Sequence, residues 1–211
     1  MAGKVIAVSQ QKGGVGKTTL AIQLAMAWRK SGKRVAMLDV DPQGSLCTWY
    51  GMRTDLHGED EGLTVKSLSG WRLGNELSAA KWSADYILID TPPHAETDAK
   101  TAIRLANLVI LPIQPTMLDL FATKPTLDLA DVEKTKALLV LNRVPARGLL
   151  ADAVKAAIKA NKWPLAKAQL GNRQAFAASI GEGRGVAETA PRTMAGKEIS
   201  ALSREILRQI R

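Results

Sequence analysis

Five short apolar runs, none alternating with polar residues, limit this chain more than any other feature. They are Lys4–Val8 (KVIAV), Arg34–Leu38 (RVAML), Tyr86–Ile89 (YILI), Leu108–Leu111 (LVIL) and Ala137–Leu141 (ALLVL). A strand with one wet face alternates, whereas a strand apolar along its whole length must be covered on both faces, as in a parallel sheet. Helical patterns lie between the runs. Leu20, Leu24, Ala27 and Trp28 recur at i, i+4, i+7 and i+8, and Gly32 supplies the stop. Further helices are expected over 72–81, 95–106, 117–130, 149–161, 173–181 and 194–211, while Gly51–Gly62 (GMRTDLHGEDEG) reads as a polar, acidic loop. Alternating strands and helices imply right-handed crossovers. The expected fold is α/β and doubly wound, a mostly parallel sheet flanked by helices. A length of 211 residues fits a single domain, 1–211.

Composition narrows the class. With 46% hydrophobic and 23% charged residues, disorder throughout is excluded. A single cysteine, Cys47, excludes a disulfide framework and any multi-cysteine zinc or iron–sulfur site within one chain. No apolar run reaches the roughly 18 residues of a membrane span, and no secretory signal pattern opens the chain, so the cytoplasm is the expected compartment.

Chemistry concentrates in Gln11-Lys12-Gly13-Gly14-Val15-Gly16-Lys17-Thr18-Thr19, directly after the first apolar run and opening the first helix. A glycine-rich turn lets successive backbone N–H groups converge on phosphate oxygens, and the helix N-terminus adds its positive dipole end. Lys17 is placed to reach the β- and γ-phosphates, and the Thr18 hydroxyl to ligate Mg²⁺. The strict nucleotide-binding pattern asks for glycine where this chain has Gln11. In an open parallel sheet, ligands bind beyond the carboxyl ends of the strands, and Asp39, Asp41, Asp90 and Asn142 all stand at such ends. Asp90 follows three apolar residues and is placed to hold Mg²⁺ through its water shell. Asp39 and Asp41, two apart, share one side of an extended chain.

Lys12-Gly-Gly-Val-Gly-Lys-Thr-Thr resembles the deviant phosphate loop of the ParA/MinD ATPases, with Lys12 as their early signature lysine. Leu38–Gly44 (LDVDPQG), Ile87–Pro93 (ILIDTPP), Leu111–Pro115 (LPIQP) and Leu141-Asn142-Arg143 resemble the family's later motifs, in the family's order. The resemblance covers nearly the whole chain and implies a P-loop NTPase fold, ATP and Mg²⁺ as cofactors, and ATP hydrolysis that is weak unless stimulated. Catalysis falls to Lys12, Lys17 and Asp41, nucleotide binding to Gly13, Gly14, Val15, Gly16, Lys17, Thr18, Thr19 and Asn142, and the metal to Thr18, Asp39 and Asp90. By the same resemblance Asp41 orients the attacking water, Lys12 reaches a partner's nucleotide across an ATP-dependent sandwich dimer, and Asn142 reads the adenine edge. The alternative for Asp39 is a capping or buried structural carboxylate, and for Asn142 a plain strand-end turn residue.

The remaining features are charge and scattered single residues. Residues 142–211 carry 13 lysines and arginines against 5 acids, whereas the first 141 residues carry 16 against 15, so the excess of +9 sits almost wholly in the last third. Such one-sidedness suits a polyanion partner, nucleic acid first and anionic membrane second. Arg147, Arg173, Arg184, Arg192, Lys197, Arg204 and Arg208 are candidates for contacts to DNA backbone, which need charge and no base-reading motif. The final helix presents Ile199, Leu202, Ile206, Leu207 and Ile210 on one side and Lys197, Arg204, Arg208 and Arg211 on the other. It reads as a helix docked on the sheet, a membrane-binding segment being the alternative. His57 and His94 read as solvated loop residues, Cys47 as a buried hydrophobe, and the five tryptophans (28, 49, 71, 82, 163) as core packing.

The function expected from these features is that of a small ParA-type ATPase without an N-terminal helix-turn-helix, dimeric with ATP and bound non-specifically to DNA. It would position a plasmid, chromosome origin or protein assembly through a ParB-like or other adaptor, cytoplasmic and nucleoid-associated, with membrane partners unlikely. Thr116–Asp131 is a candidate partner surface. A MinD-like membrane-cycling ATPase is the alternative, and a non-catalytic nucleotide switch a third class. Too few cysteines exclude iron–sulfur carriers and nitrogenase-type reductases, and two tyrosines, Tyr50 and Tyr86, exclude the tyrosine-rich kinases of this group.

Overall fold

The computed structural model describes residues 2–93, 96–147 and 149–210. In chain order the elements are β1 (Lys4–Val8), α1 (Lys17–Lys30), β2 (Val35–Asp39), α2 (Ser45–His57), β3 (Leu63–Ser67) and α3 (Leu73–Ser83). They continue with β4 (Tyr86–Asp90), α4 (Glu96–Leu105), β5 (Leu108–Ile113), α5 (Met117–Val132), β6 (Ala137–Leu141) and α6 (Leu150–Ala160). Three helices close the chain: α7 (Gln174–Gly181), α8 (Val186–Thr189) and α9 (Met194–Gln209). The six strands form one sheet in the order β3-β2-β4-β1-β5-β6, and every pairing is parallel.

The uninterrupted apolar runs have the consequence expected of them. Side chains alternate across each strand, and both faces are covered. Ile6, Val8, Met37, Leu88, Ile110 and Val140 face a layer built from α1, α7, α8 and α9, with Leu24, Trp28, Ile199, Leu202 and Ile206 at its centre. Val5, Ala7, Leu38, Ile87, Ile89, Leu111 and Leu139 face the other layer, made by α3, α4, α5 and α6. Helix α9 is therefore docked: Ile199, Leu202 and Ile206 are wholly buried, and its apolar stripe is occupied by the core.

Three features differ from what the residue pattern suggests. Residues 51–57 are helical, because Leu46, Trp49 and Arg53 at i, i+3 and i+7 give α2 a short buried stripe beneath its polar exterior. The edge strand β3 (LTVKS) leaves no continuous apolar run, because only Leu63 of its five residues is fully buried. Among the tryptophans, Trp28 and Trp49 are core residues, but Trp71 and Trp82, flanking or ending α3, are 81% and 86% exposed.

Removing the Leu202 side chain tests the docking of α9. Leu202→Ala is expected to cost about 2–4 kcal/mol, read as a lower midpoint of urea unfolding.

Candidate functional site

The sheet register assembles the site. Val8 at the end of β1 lies opposite Asp90 at the end of β4, and Asp90 in turn lies opposite Asp39 at the end of β2. Beyond Val8 the chain turns through Gln11–Gly16 into α1. Gly14 (φ 74) and Gly16 (φ 92) take left-handed conformations that favour glycine, and a Cβ on Gly16 would stand 2.8 Å from Asn142 Nδ2. Side chains from the ends of β5 and β6 hold the turn in place. Asn142 Nδ2 donates to Val15 O at 2.8 Å, Gln114 Nε2 to Gly14 O at 3.3 Å, and Arg143 Nη1 to the same Gly14 O at 3.2 Å.

Lys17 begins α1 and is buried, yet none of the ion pairs among the described residues involves it. Burial lowers its pKa below the ordinary lysine value, against the pull of Asp90 and Asp41. A buried ammonium without an ion pair, in the first turn of a helix, is arranged for an anion. Asp90 is 1% exposed, accepts a hydrogen bond from the Thr18 hydroxyl at 2.6 Å through Oδ2, and leaves Oδ1 buried without a partner. Burial pushes its pKa up to about 7. The orphaned oxygen and the adjacent hydroxyl suit a hydrated divalent cation. Among the described residues no cluster of three or more His, Cys, Asp or Glu could hold a metal alone, so phosphate and water would complete its shell.

Asp39 and Asp41 have separate tasks. Asp39 Oδ1 accepts from Asp41 N–H at 3.1 Å and Oδ2 from Cys47 N–H at 3.3 Å, so this buried carboxylate ties the loop after β2 to the first turn of α2. That geometry gives Asp39 a structural task, beside Asp90 on the neighbouring strand. Asp41 is half-buried, accepts from Gln43 N–H at 3.0 Å and lines the phosphate-loop cavity with Lys17, Thr18 and Ser45.

Lys12 stands on the rim. Its ammonium pairs with Asp119 Oδ2 at 2.7 Å, near the start of α5, with its side chain 41% exposed and that of Asp119 2%. The Thr116 hydroxyl donates to the same carboxylate oxygen, and Asp119 Oδ1 is buried without a partner. Asp119, Gln114 and Arg143 are site residues beyond those the sequence singles out: Gln114 and Arg143 lie in the LPIQP and LNR segments and Asp119 in the candidate partner surface, where nothing local marks it as a lysine's partner.

Two cavities meet at the loop. One, of about 450 Å³, is lined by Gly13, Gly14, Lys17, Thr18, Asp41 and Trp49 among others. The other, of about 520 Å³, lies over Gly16, Thr19, Asn142, Asn172, Arg173 and Phe176. Asn142 is at its wall, but its amide already serves the main chain, since Oδ1 accepts from Arg143 N–H at 3.0 Å while Nδ2 holds Val15 O. One amide N–H and one oxygen lone pair are left for a ligand edge.

The basic candidates separate into groups. Lys197, Arg204 and Arg208 are exposed and spaced i, i+7, i+11, which aligns them along one side of α9. Arg192 is exposed just before that helix. Arg184 is exposed, with Nη2 at 3.4 Å from His57 Nδ1, while His57 Nε2 is 2.7 Å from Glu182 O. Arg173 is committed elsewhere: its guanidinium makes a two-pronged pair with Glu198 at 2.9 and 2.6 Å beside the larger cavity. Arg147 precedes α6, which packs on the opposite face of the sheet from α9. Cys47 is half-buried, and burial together with the Asp39 carboxylate pushes its thiol up to about 11, far from reactive. His94 lies outside the described residues. Among the described residues no helix is long and apolar enough to cross a membrane.

A glycine-rich loop between a central parallel strand and its helix, with a buried lysine, a threonine hydroxyl and a strand-end aspartate converging, defines a P-loop nucleotide-binding protein. The profile of the CobQ/CobB/MinD/ParA nucleotide binding domain matches residues 6–186, and the chain belongs to that family. It is similar to the "maintenance of carboxysome distribution protein A" of Halothiobacillus neapolitanus, 26% identical over 96% of this chain and 95% of that protein. The protein of the same description from Gloeobacter kilaueensis is 35% identical over 72% of this chain and 68% of its own length. The chromosome-partitioning ATPase Soj of Thermus thermophilus is 36% identical, but the match spans only 52% of this chain and 54% of Soj. The crystal structure of the Pyrococcus furiosus cell division ATPase MinD superposes with a TM-score of 0.81 at 22% identity over 98% and 99% of the two chains. The ATP complex of the Asp-to-Ala variant of Cyanothece McdA gives 0.78 at 17% identity over 98% and 96%. At those identities the structural likeness concerns the fold.

The raised Asp90 pKa has a thermodynamic consequence. Without nucleotide and magnesium, its carboxyl holds a proton in the folded chain up to about pH 7 but loses it near the ordinary 3.8 when unfolded. The stabilising contribution is full below about pH 4 and is lost as pH rises through about 7. Asp90→Asn is expected to flatten the fall in melting temperature between pH 5 and 8, measured calorimetrically.

Proposed function

We propose that this protein is a small ParA-type ATPase that positions a cargo, with ATP driving dimerisation and the dimer binding DNA without sequence preference. The observation that carries this reading is the division of labour between two lysines of one loop. Lys17 is buried inside the cradle and underpaired, while Lys12 stands on the rim, held by Asp119. The exposure of the rim lysine supports a role toward a nucleotide presented by a second copy, where it would offset charge developing during phosphoryl transfer as an arginine finger does.

The chain's own groups divide the remaining work. Gly13–Thr19 bind the phosphates through backbone N–H groups and the Thr18 and Thr19 hydroxyls, and Lys17 neutralises the outer phosphates. Thr18 and Asp90 would hold magnesium, which when bound supplies charge neutralisation between the phosphates. Asp41, on a loop ordered by Asp39, orients the attacking water. The larger cavity beside Asn142 takes the base, with the free amide N–H and oxygen of Asn142 facing its edge. Hydrolysis is slow until an adaptor intervenes, and Thr116–Asp131, which carries Asp119 and the exposed Met117, Leu118 and Phe121, is the proposed docking segment.

Lys197, Arg204 and Arg208 on α9, with Arg192 before it, form the proposed DNA-contacting line. Arg173 and Arg147 are set aside, the first because it serves Glu198 and the second because it stands in the loop before α6, away from the line on α9. The cargo is a plasmid, a chromosome origin or a protein assembly; similarity to carboxysome-distribution proteins along most of the chain favours the last. The setting is cytoplasmic and nucleoid-associated. A membrane-cycling role is disfavoured because the apolar stripe of α9 is buried in the core.

The decisive measurement compares binding to random-sequence DNA and to anionic liposomes with ATP, ADP and no nucleotide. ATP-dependent, salt-sensitive DNA binding without liposome binding is expected, and the reverse result would overturn the proposal. Lys17→Ala should abolish both nucleotide binding and ATP-dependent DNA binding. Arg204→Glu combined with Arg208→Glu should weaken DNA binding by roughly tenfold or more and flatten its dependence on log salt by about one unit for each DNA phosphate that is no longer neutralised.

A further inference from the structure

Arg143 follows Asn142 at the carboxyl end of β6, and its backbone stands in the left-handed region at φ 53. That region is uncommon for a residue with a Cβ, although Lys134 (φ 54) and Lys162 (φ 56), each just past a helix end, hold it too. Here the Arg143 N–H is held by Asn142 Oδ1 at 3.0 Å. The side chain lies over the phosphate loop, where Nη1 donates to Gly14 O. A guanidinium carries five N–H donors, and among the described residues this is its single hydrogen bond. The residue is exposed, and no carboxylate among the described residues pairs with it.

Its position is shared by both cavities. Among the described residues only Gly16, Thr19 and Arg143 line the larger cavity and the phosphate-loop cavity alike, and Arg143 alone of the three is charged. A nucleotide whose base occupies one cavity and whose outer phosphates occupy the other must pass its ribose and first phosphate through that junction. The Gly14 contact adds a second effect. In a planar trans peptide the C=O and N–H point in opposite directions, so fixing Gly14 O also fixes the direction of the Val15 N–H in the cradle.

We propose that Arg143 is a third cation of the site, bridging the Gly14 carbonyl to the innermost phosphate of a bound nucleotide. The proposal rests on the nucleotide-binding reading of the two cavities. It makes Arg143 a contact common to di- and triphosphates, unlike a group that senses only the outermost phosphate.

The test compares the unaltered chain with Arg143→Ala and Arg143→Lys, measuring ADP and ATP affinity by competition with a fluorescent nucleotide and melting without nucleotide. Arg143→Ala is expected to weaken ADP and ATP by a similar factor, roughly tenfold or more, with the nucleotide-free melting temperature preserved. Arg143→Lys should recover part of the loss, because a point charge reaches a phosphate but lacks the guanidinium fork. A loss confined to ATP, a loss under about threefold for both ligands, or no recovery with lysine would overturn the proposal. If the unaltered chain bound neither ligand, the nucleotide-binding reading would itself fall, and Arg143's role with it. Tight binding by the unaltered chain and by Arg143→Ala alike would overturn the role of Arg143 alone.

Discussion

The register between β1, β4 and β2 is the constraint on which the site depends. Pairing Val8 with Asp90, and Asp90 with Asp39, brings the start of the phosphate loop and two strand-end carboxylates side by side. Parallel strands expose their carboxyl ends on one edge, so every loop leaving that edge can reach the same space. A shift of one residue would turn Asp90 to the other face of the sheet, into a layer of isoleucines and leucines. Burial on both faces makes that shift costly and holds the register.

Electrostatics at this edge follow from burial more than from pairing. Lys17 and Asp90 are both largely withdrawn from water, and each is pushed toward its neutral form. A site in that condition gains from any ligand that brings an anion to the lysine and a cation to the aspartate, as a magnesium–nucleotide complex does. Lys12 differs because it is already neutralised by Asp119. Moving it toward a nucleotide leaves a buried carboxylate without its cation, so the rim lysine and α5 are energetically linked. A partner that docks on α5 would act through that link.

Much of this was legible in the residues themselves. The apolar runs located five of the six strands, and the glycine-rich loop located the site, because both signals are local and continuous. The weaker elements were illegible for an equally physical reason. Strand β3 is an edge strand with a largely wet surface, and α2 buries only Leu46, Trp49 and Arg53, so neither leaves a continuous pattern. Asp119 is more than a hundred residues from Lys12, and nothing in its neighbourhood advertises a lysine partner. Arg173 read as one more basic surface residue until Glu198 on α9 claimed it. Trp71 and Trp82 read as core by residue type alone, although the short turn and helix end that carry them face solvent.

By itself the sequence determined the parallel α/β class, the phosphate loop, the strand-end carboxylates and the concentration of positive charge in the last third. Those are properties of neighbouring residues, and local sterics and hydrophobic periodicity suffice to set them. Tertiary structure alone decided which side chains hold the loop: Gln114, Asn142 and Arg143 come from strands far along the chain and meet at Gly14 and Val15. It also decided that Asp39 orders a loop, that α9 is docked with three cations in line, and that Lys12 rests on Asp119. Each depends on distant elements being brought together by a sheet whose strand order differs from chain order, and no local pattern records that order.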